Sequence, residues 1–97
     1  MRSVELTADA VRQFKGVPKR ARPLIKEALH RRLMLEDPAR TTRYKCRLRR
    51  ASEYADYELR VEQWRVFYRI EDDRSVVTLM GEQRGNRLIV EGEALEL

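Results

Sequence analysis

A chain of 97 residues with 42% apolar side chains can bury one small core, so a single domain over residues 1–97 is expected. One cysteine (Cys46) and one histidine (His30) exclude an internal disulfide and a multi-cysteine metal site, and no stretch approaches the roughly 20 apolar residues of a membrane span. The net charge of +5 is unevenly divided: residues 1–50 hold 15 basic and 5 acidic side chains, residues 51–97 hold 6 and 11, which points to a polyanionic partner for the basic half.

The opening "MRSVELTADA" has neither the apolar core nor the cleavage pattern of a signal peptide, and the expected location is the cytoplasm, with no membrane contact. "VELT" alternates as a short strand. Thr7 then suits an N-cap and Asp9 the first turn of a helix through "TADAVRQF". "KGVP" interrupts it, after which Ala21, Leu24, Ile25, Ala28, Leu29 and Leu33 recur at helical spacing until "EDP", where the residue before proline disfavours the helical region. These two helices are expected to pack on one sheet face through Leu24, Ile25, Ala28, Leu29, Val66, Tyr68 and Ile70.

From Arg43 the period changes to two, placing Tyr44, Cys46 and Leu48 on one side and Arg43, Lys45, Arg47 and Arg49 on the other. No acid occurs between Asp37 and Glu53, so Arg40, Arg43, Lys45, Arg47, Arg49 and Arg50 repel one another unless they are splayed or meet an anion. Arg43, Lys45, Arg47, Arg49 and Arg50 are therefore candidate RNA-binding residues. The polar "RRASEYAD" reads as an exposed loop.

"ELRVEQWRVFYRI" holds two alternating strands joined only by Glu62 and Gln63. An antiparallel hairpin that keeps Leu59 and Val61 on the same face as Trp64 and Val66 sets Arg60 directly opposite Arg65. Glu58, Phe67 and Arg69 share that second face, away from the helices. Like charges directly opposed cost a few tenths to about 1 kcal/mol. An anion held between them relieves this, and so does a surface ladder with Glu58 and Glu62. Gln63 stands where such turns favour glycine. "SVVTLMG" gives a third strand, and "RGNRLIVEG" a turn and a short terminal strand. The expected fold is α+β: an N-terminal strand, a helical hairpin and an antiparallel meander of three to four strands.

The order of elements, "EDPAR" closing the helices, the basic "RYKCRL", and above all "ELRVEQWRVFYRI" followed by "VVTLMGEQRGNRLIV" resemble the RelE/ParE superfamily of toxins from type II toxin–antitoxin modules, over nearly the whole chain. The resemblance implies a RelE-like microdomain with a concave basic sheet face. Ribosome-dependent members receive mRNA there and promote attack of a 2′-hydroxyl on the adjacent phosphate. Arg65 falls at their phosphate-binding arginine, and Arg60 and Arg84 are the further cations able to stabilise a phosphorane, with Glu62 the nearest unassigned carboxylate. Arg69 joins the RNA-binding set. Where such members keep lysines, two and four residues before Arg60, this chain has Glu58 and Asp56, and no tyrosine or histidine follows Tyr68.

Three functions follow from this reading: a ribosome-dependent mRNA interferase, a ParE-like inhibitor of DNA gyrase, or a catalytically degenerate binding module. Each implies a cognate acidic antitoxin and a toxin–antitoxin hetero-oligomer. No cofactor or metal is expected.

Overall fold

The computed structural model describes residues 2–50, 52–53 and 55–95, so Ala51 and Tyr54 of the expected loop lie outside it. Strand β1 (Ser3–Leu6) leads into helix α1 (Ala8–Lys15). As expected, Thr7 caps that helix, its hydroxyl accepting the Ala10 N–H at 3.2 Å, with Asp9 in the first turn. Pro18 sits in the link, and Pro23 enters the first turn of α2 (Arg22–Ala28), where it displaces no intrahelical hydrogen bond. Helix α2 continues without a break into a π-helical stretch, Leu29–Leu35, that ends at Glu36 in extended conformation.

The remaining strands are β2 (Lys45–Arg47), β3 (Tyr57–Val61), β4 (Trp64–Glu71), β5 (Arg74–Arg84), β6 (Arg87–Val90) and β7 (Glu93–Leu95). They pair antiparallel in sequence order, β2-β3-β4-β5-β6-β7. The first part of β5 also takes β1 as a parallel neighbour (Ser3 with Arg74 through Leu6 with Val77), and its last part takes β6 (Glu82 with Ile89). The architecture is the expected α+β order, with the meander running one strand, β7, past the terminal strand expected in "RGNRLIVEG", which is β6. The third strand also extends past Gly81 to Arg84.

Between β1 and β6 the edge of β5 is open, and α1 closes it: the buried Gln13 side chain accepts the Met80 N–H at 2.7 Å. A backbone donor that would otherwise be buried unpaired is thereby satisfied. A bulge inserts Thr78 into β5 where β4 passes from Phe67 to Tyr68, because Phe67 faces Leu79 while Tyr68 faces Val77.

The main core lies between the helices and the sheet, on Ala10, Ile25, Leu29, Leu33, Leu59, Val66, Tyr68, Val77 and Met80. Of the expected helix–sheet contacts, Ile25, Leu29, Val66 and Tyr68 are buried, and Ala28 and Ile70 pack half-buried at the margin. Leu24 departs from that set, being 43% exposed. Around the helix it falls beyond Ala28, about 100° from Ile25 and further still from Leu29, which carries it past the margin of the inward stripe.

A second, smaller core occupies the outer face. Phe67, expected on the open side, is only 2% exposed and packs with Ala55, Leu79 and Leu88, with Leu48, Val90 and Leu95 around them. Gly81 is needed where β6 approaches: a Cβ there would stand 2.6 Å from the Ile89 carbonyl and 2.8 Å from Val90 Cγ2.

Candidate functional site

Strands β3 and β4 pair in the register predicted from their alternation: Val61 with Trp64, Arg60 with Arg65, Leu59 with Val66 and Glu58 with Phe67. The positive φ of the connecting turn falls on Glu62 (φ 53°), not on Gln63. Arg60 and Arg65 project from the face opposite the helices, since their neighbours Leu59 and Val66 are fully buried in the main core.

Although their Cα positions are opposed, the two guanidiniums are neutralised separately. Arg60 Nε donates to Glu58 Oε1 at 2.9 Å, and this carboxylate holds the Arg60 proton more firmly than usual. Arg65 Nη1 donates instead to backbone, to the Glu62 and Trp64 carbonyls of the turn. The ladder is thus half built. Glu58 serves Arg60, whereas Glu62 serves Arg65 through its carbonyl, and no carboxylate pairs with Arg65 among the described residues. Its Nε and Nη2 and both Arg60 Nη groups make no described hydrogen bond, which leaves donors on adjacent strands for a single anion.

Arg84 does not join them. It lies on the helix side of the sheet, where Trp64, Glu82 and Arg84 line a groove with Gln13 and Ala21, and its guanidinium pairs with Glu82 at 2.8 Å. The register explains this: Glu82 faces Trp64, an inward residue, and Arg84 follows two positions later on the same side. Arg69 is on the outer face but is engaged by Glu71.

The basic segment also divides. Lys45, expected outward with the arginines, is 1% exposed. It pairs with Leu59 on the core face of β2, and its Nζ donates to the Arg32 and Asp37 carbonyls at 2.8 and 3.0 Å and lies 3.0 Å from Glu36 Oε1. The π-helical stretch ends there with carbonyls that no following turn can satisfy, and an ammonium group on a long stem meets them. The Lys45 and Arg32 cations hold the Glu36 carboxyl below the usual carboxylate range. Lys45 is therefore a structural ion and not an RNA contact.

Cys46 and Leu48 consequently face outward with Glu58, and Leu48 reaches the second core. Arg40, Arg43, Arg47, Arg49 and Arg50 are exposed, with no carboxylate in ion-pair range among the described residues. Arg43 and Arg47 lie over the rings of Tyr44 and Tyr57, at 5.3 and 5.7 Å.

Few acid–base groups stand near Arg60 and Arg65. Tyr68 is fully buried, its hydroxyl donates to the Pro38 carbonyl at 2.6 Å, and burial pushes its ionisation well above the ordinary phenol value. His30 lies in the π-helical stretch, across the sheet from the arginine pair. Glu62, exposed at the turn, has no ion-pair partner among the described residues. No cluster of three His, Cys, Asp or Glu side chains suited to a metal occurs among the described residues, and none of their helices is long and apolar enough to cross a membrane.

No protein-family model and no curated protein sequence matches the chain. Solved structures do. The toxin–antitoxin complex RelBE2 from Mycobacterium tuberculosis aligns with a TM-score of 0.63 at 24% identity, over 86% of this chain and 98% of the other. The archaeal RelE–RelB complex from Pyrococcus horikoshii OT3 aligns at 0.65 and 19% identity, over 88% and 97%. With helices on one face and an arginine pair on the other, the chain has the RelE-like fold found in these toxin–antitoxin complexes.

Proposed function

We propose that this chain is the toxin of a two-component toxin–antitoxin pair, working in the cytoplasm against mRNA on the ribosome and held inactive by an acidic antitoxin. The observation that supports this best is the Arg60–Arg65 juxtaposition, with unused guanidinium donors on neighbouring strands and no carboxylate on Arg65. Attack of a ribose 2′-hydroxyl on the adjacent phosphate builds negative charge on the phosphorane oxygens. Fixed cations favour that state over the ground state. Arg65 supplies the main contact and Arg60 the second. Glu62 is the unpaired carboxylate beside Arg65 and the candidate to accept the 2′-hydroxyl proton. The exposed Arg40, Arg43, Arg49 and Arg50 add positive charge that attracts the RNA backbone, whereas Arg47 stands on the helix side of β2 with Lys45 and Tyr57.

A second reading, gyrase inhibition by binding alone, draws on a different observation: Lys45 and Tyr68 are buried, which withdraws one lysine and one phenol from the groups able to transfer a proton beside the arginine pair. Brief induction followed by primer extension separates the two. Codon-positioned cuts in mRNA that vanish with Arg65→Ala support the ribonuclease. Intact messages with induction of DNA damage overturn it in favour of gyrase.

A further inference from the structure

A carboxylate beside two opposed arginines weakens an anion site by charge alone, yet Glu58 is built into the sheet more firmly than the guanidinium it meets. Its side chain is 16% exposed, against 56% for Arg60. On the outer face it stands between Cys46 of β2 and Phe67 of β4. Cys46 Sγ lies 4.0 Å from Glu58 Oε1, and Phe67 is anchored in the second core with Ala55, Leu79 and Leu88. A glutamate confined between two such neighbours has few rotamers open to it.

Its hold on Arg60 is directional. Glu58 Oε1 accepts from Arg60 Nε at 2.9 Å, and a guanidinium is planar, so fixing Nε also fixes the plane in which Nη1 and Nη2 lie. Those two nitrogens make no described hydrogen bond and form the edge that can meet two oxygens of one phosphate. Arg65 stands directly opposite on β4, its Nη1 held by the Glu62 and Trp64 carbonyls. Without the carboxylate the two cations repel unopposed, and the exposed Arg60 side chain swings away from Arg65.

We infer that Glu58 is a positioning residue for the phosphate site, presenting the Nη edge of Arg60 to the same phosphodiester that Arg65 meets from the adjacent strand. The inference rests on the arginine pair receiving an RNA phosphate, and names what makes two mutually repelling cations converge on it. Glu58 has two opposed effects on an incoming anion. Its charge repels the phosphate, while its grip on Nε removes the cost of ordering a long side chain at the moment of binding. Because that charge is already matched by Arg60 at 2.9 Å, the ordering effect prevails. The second core thereby gains a part in the site: Phe67 confines Glu58, and Glu58 fixes Arg60.

The test is fluorescence anisotropy of the full chain with a single-stranded 2′-O-methyl RNA oligonucleotide, which presents phosphodiesters but has no 2′-hydroxyl to attack them. Loss of charge alone tightens binding and loss of positioning weakens it, so the sign of the change decides. Glu58→Ala is expected to bind about tenfold more weakly than the parent, and Glu58→Gln, whose amide oxygen still accepts from Nε, at least as tightly as the parent. Glu58→Met keeps the volume without the acceptor and is expected to match Glu58→Ala; a melting curve checks the fold of each, and the methionine variant decides where the alanine variant unfolds. In an Arg60→Ala background, Glu58→Ala is expected to weaken binding no further, because its effect runs through Arg60. Binding by the alanine or methionine variant as tight as the parent's, a glutamine variant as weak as these, or the same weakening with Arg60 absent would each overturn the inference while leaving the arginine pair a phosphate site. No saturable binding by the parent would overturn both together.

Discussion

Lys45 and Glu36 meet at 3.0 Å beneath the end of the π-helical stretch, the lysine fully buried and the glutamate one-third exposed. With the Arg32 and Asp37 carbonyls also on Nζ, this ion ties strand β2 to the helices. Replacing Lys45 by Ala strands two carbonyls and a carboxylate, a loss of about 3 kcal/mol. Arg47→Ala, two residues on and exposed, is expected to change stability by no more than about 0.5 kcal/mol. Chemical denaturation of the two variants checks the contrast, and similar stabilities would remove the structural role assigned to Lys45.

The same pair predicts a pH dependence. Glu36 is held below its ordinary value in the folded chain, so it binds a proton more readily when unfolded. Its contribution is therefore complete above the unfolded carboxylate value of about 4.3 and is lost as the pH falls through the lower folded value. Glu36→Gln is expected to be less stable than the parent at pH 7, the gap closing below about pH 4. A gap that stays constant from neutral to acid pH contradicts this.

Tyr68 stacks on Tyr57 with centroids 5.3 Å apart and caps the Pro38 carbonyl. Tyr68→Phe keeps the stacking and leaves that carbonyl unpaired, an expected cost of about 1 to 3 kcal/mol without effect on any surface contact. Thermal unfolding together with an RNA-binding assay tests both halves.

Gly81→Ala forces a methyl group onto the Ile89 carbonyl, a backbone atom that cannot rotate away. β6 must shift, at about 1 to 3 kcal/mol, and the second core around Phe67 loosens with it. Gly85→Ala is a useful comparison, because a Cβ there meets nothing within 4 Å and only its φ of 60° is unfavourable. Equal stability of Gly81→Ala and the parent, by denaturant midpoint, refutes the close approach.

Arg65→Ala removes the proposed phosphate contact, with an expected loss of about 100-fold in cleavage by analogy with the loss of one preorganised donor. Two turn carbonyls also lose their donor, so stability falls slightly, by less than about 1 kcal/mol. Arg60→Ala is expected to give a smaller loss of activity, as Glu58 already engages it. Growth inhibition measured at matched expression decides, and full toxicity in Arg65→Ala removes it from the site.

The facing of Arg60 and Arg65 was legible in the sequence because two alternating strands with a two-residue link admit one register that keeps both apolar sets together. The Thr7 cap was legible for the same reason, as a local interaction three residues long. The placing of Arg84 was not: "SVVTLMG" has no alternation to give a parity, and the Thr78 bulge shifts the register at a point only the paired strand reveals. Phe67 reads as outward from its period, but whether an outward face is open depends on β6 and β7 curling beneath it. Lys45 defeats the polarity rule itself. Its alternation with Tyr44, Cys46 and Leu48 is real, yet the carbonyl ends of a helix closing some ten residues earlier in the chain create a demand for a buried cation there. Local sequence determined strand period, caps and hairpin register, whose partners lie a few residues apart. Only the tertiary structure decided which side of each strand met solvent, because that depends on what distant segments leave unsatisfied.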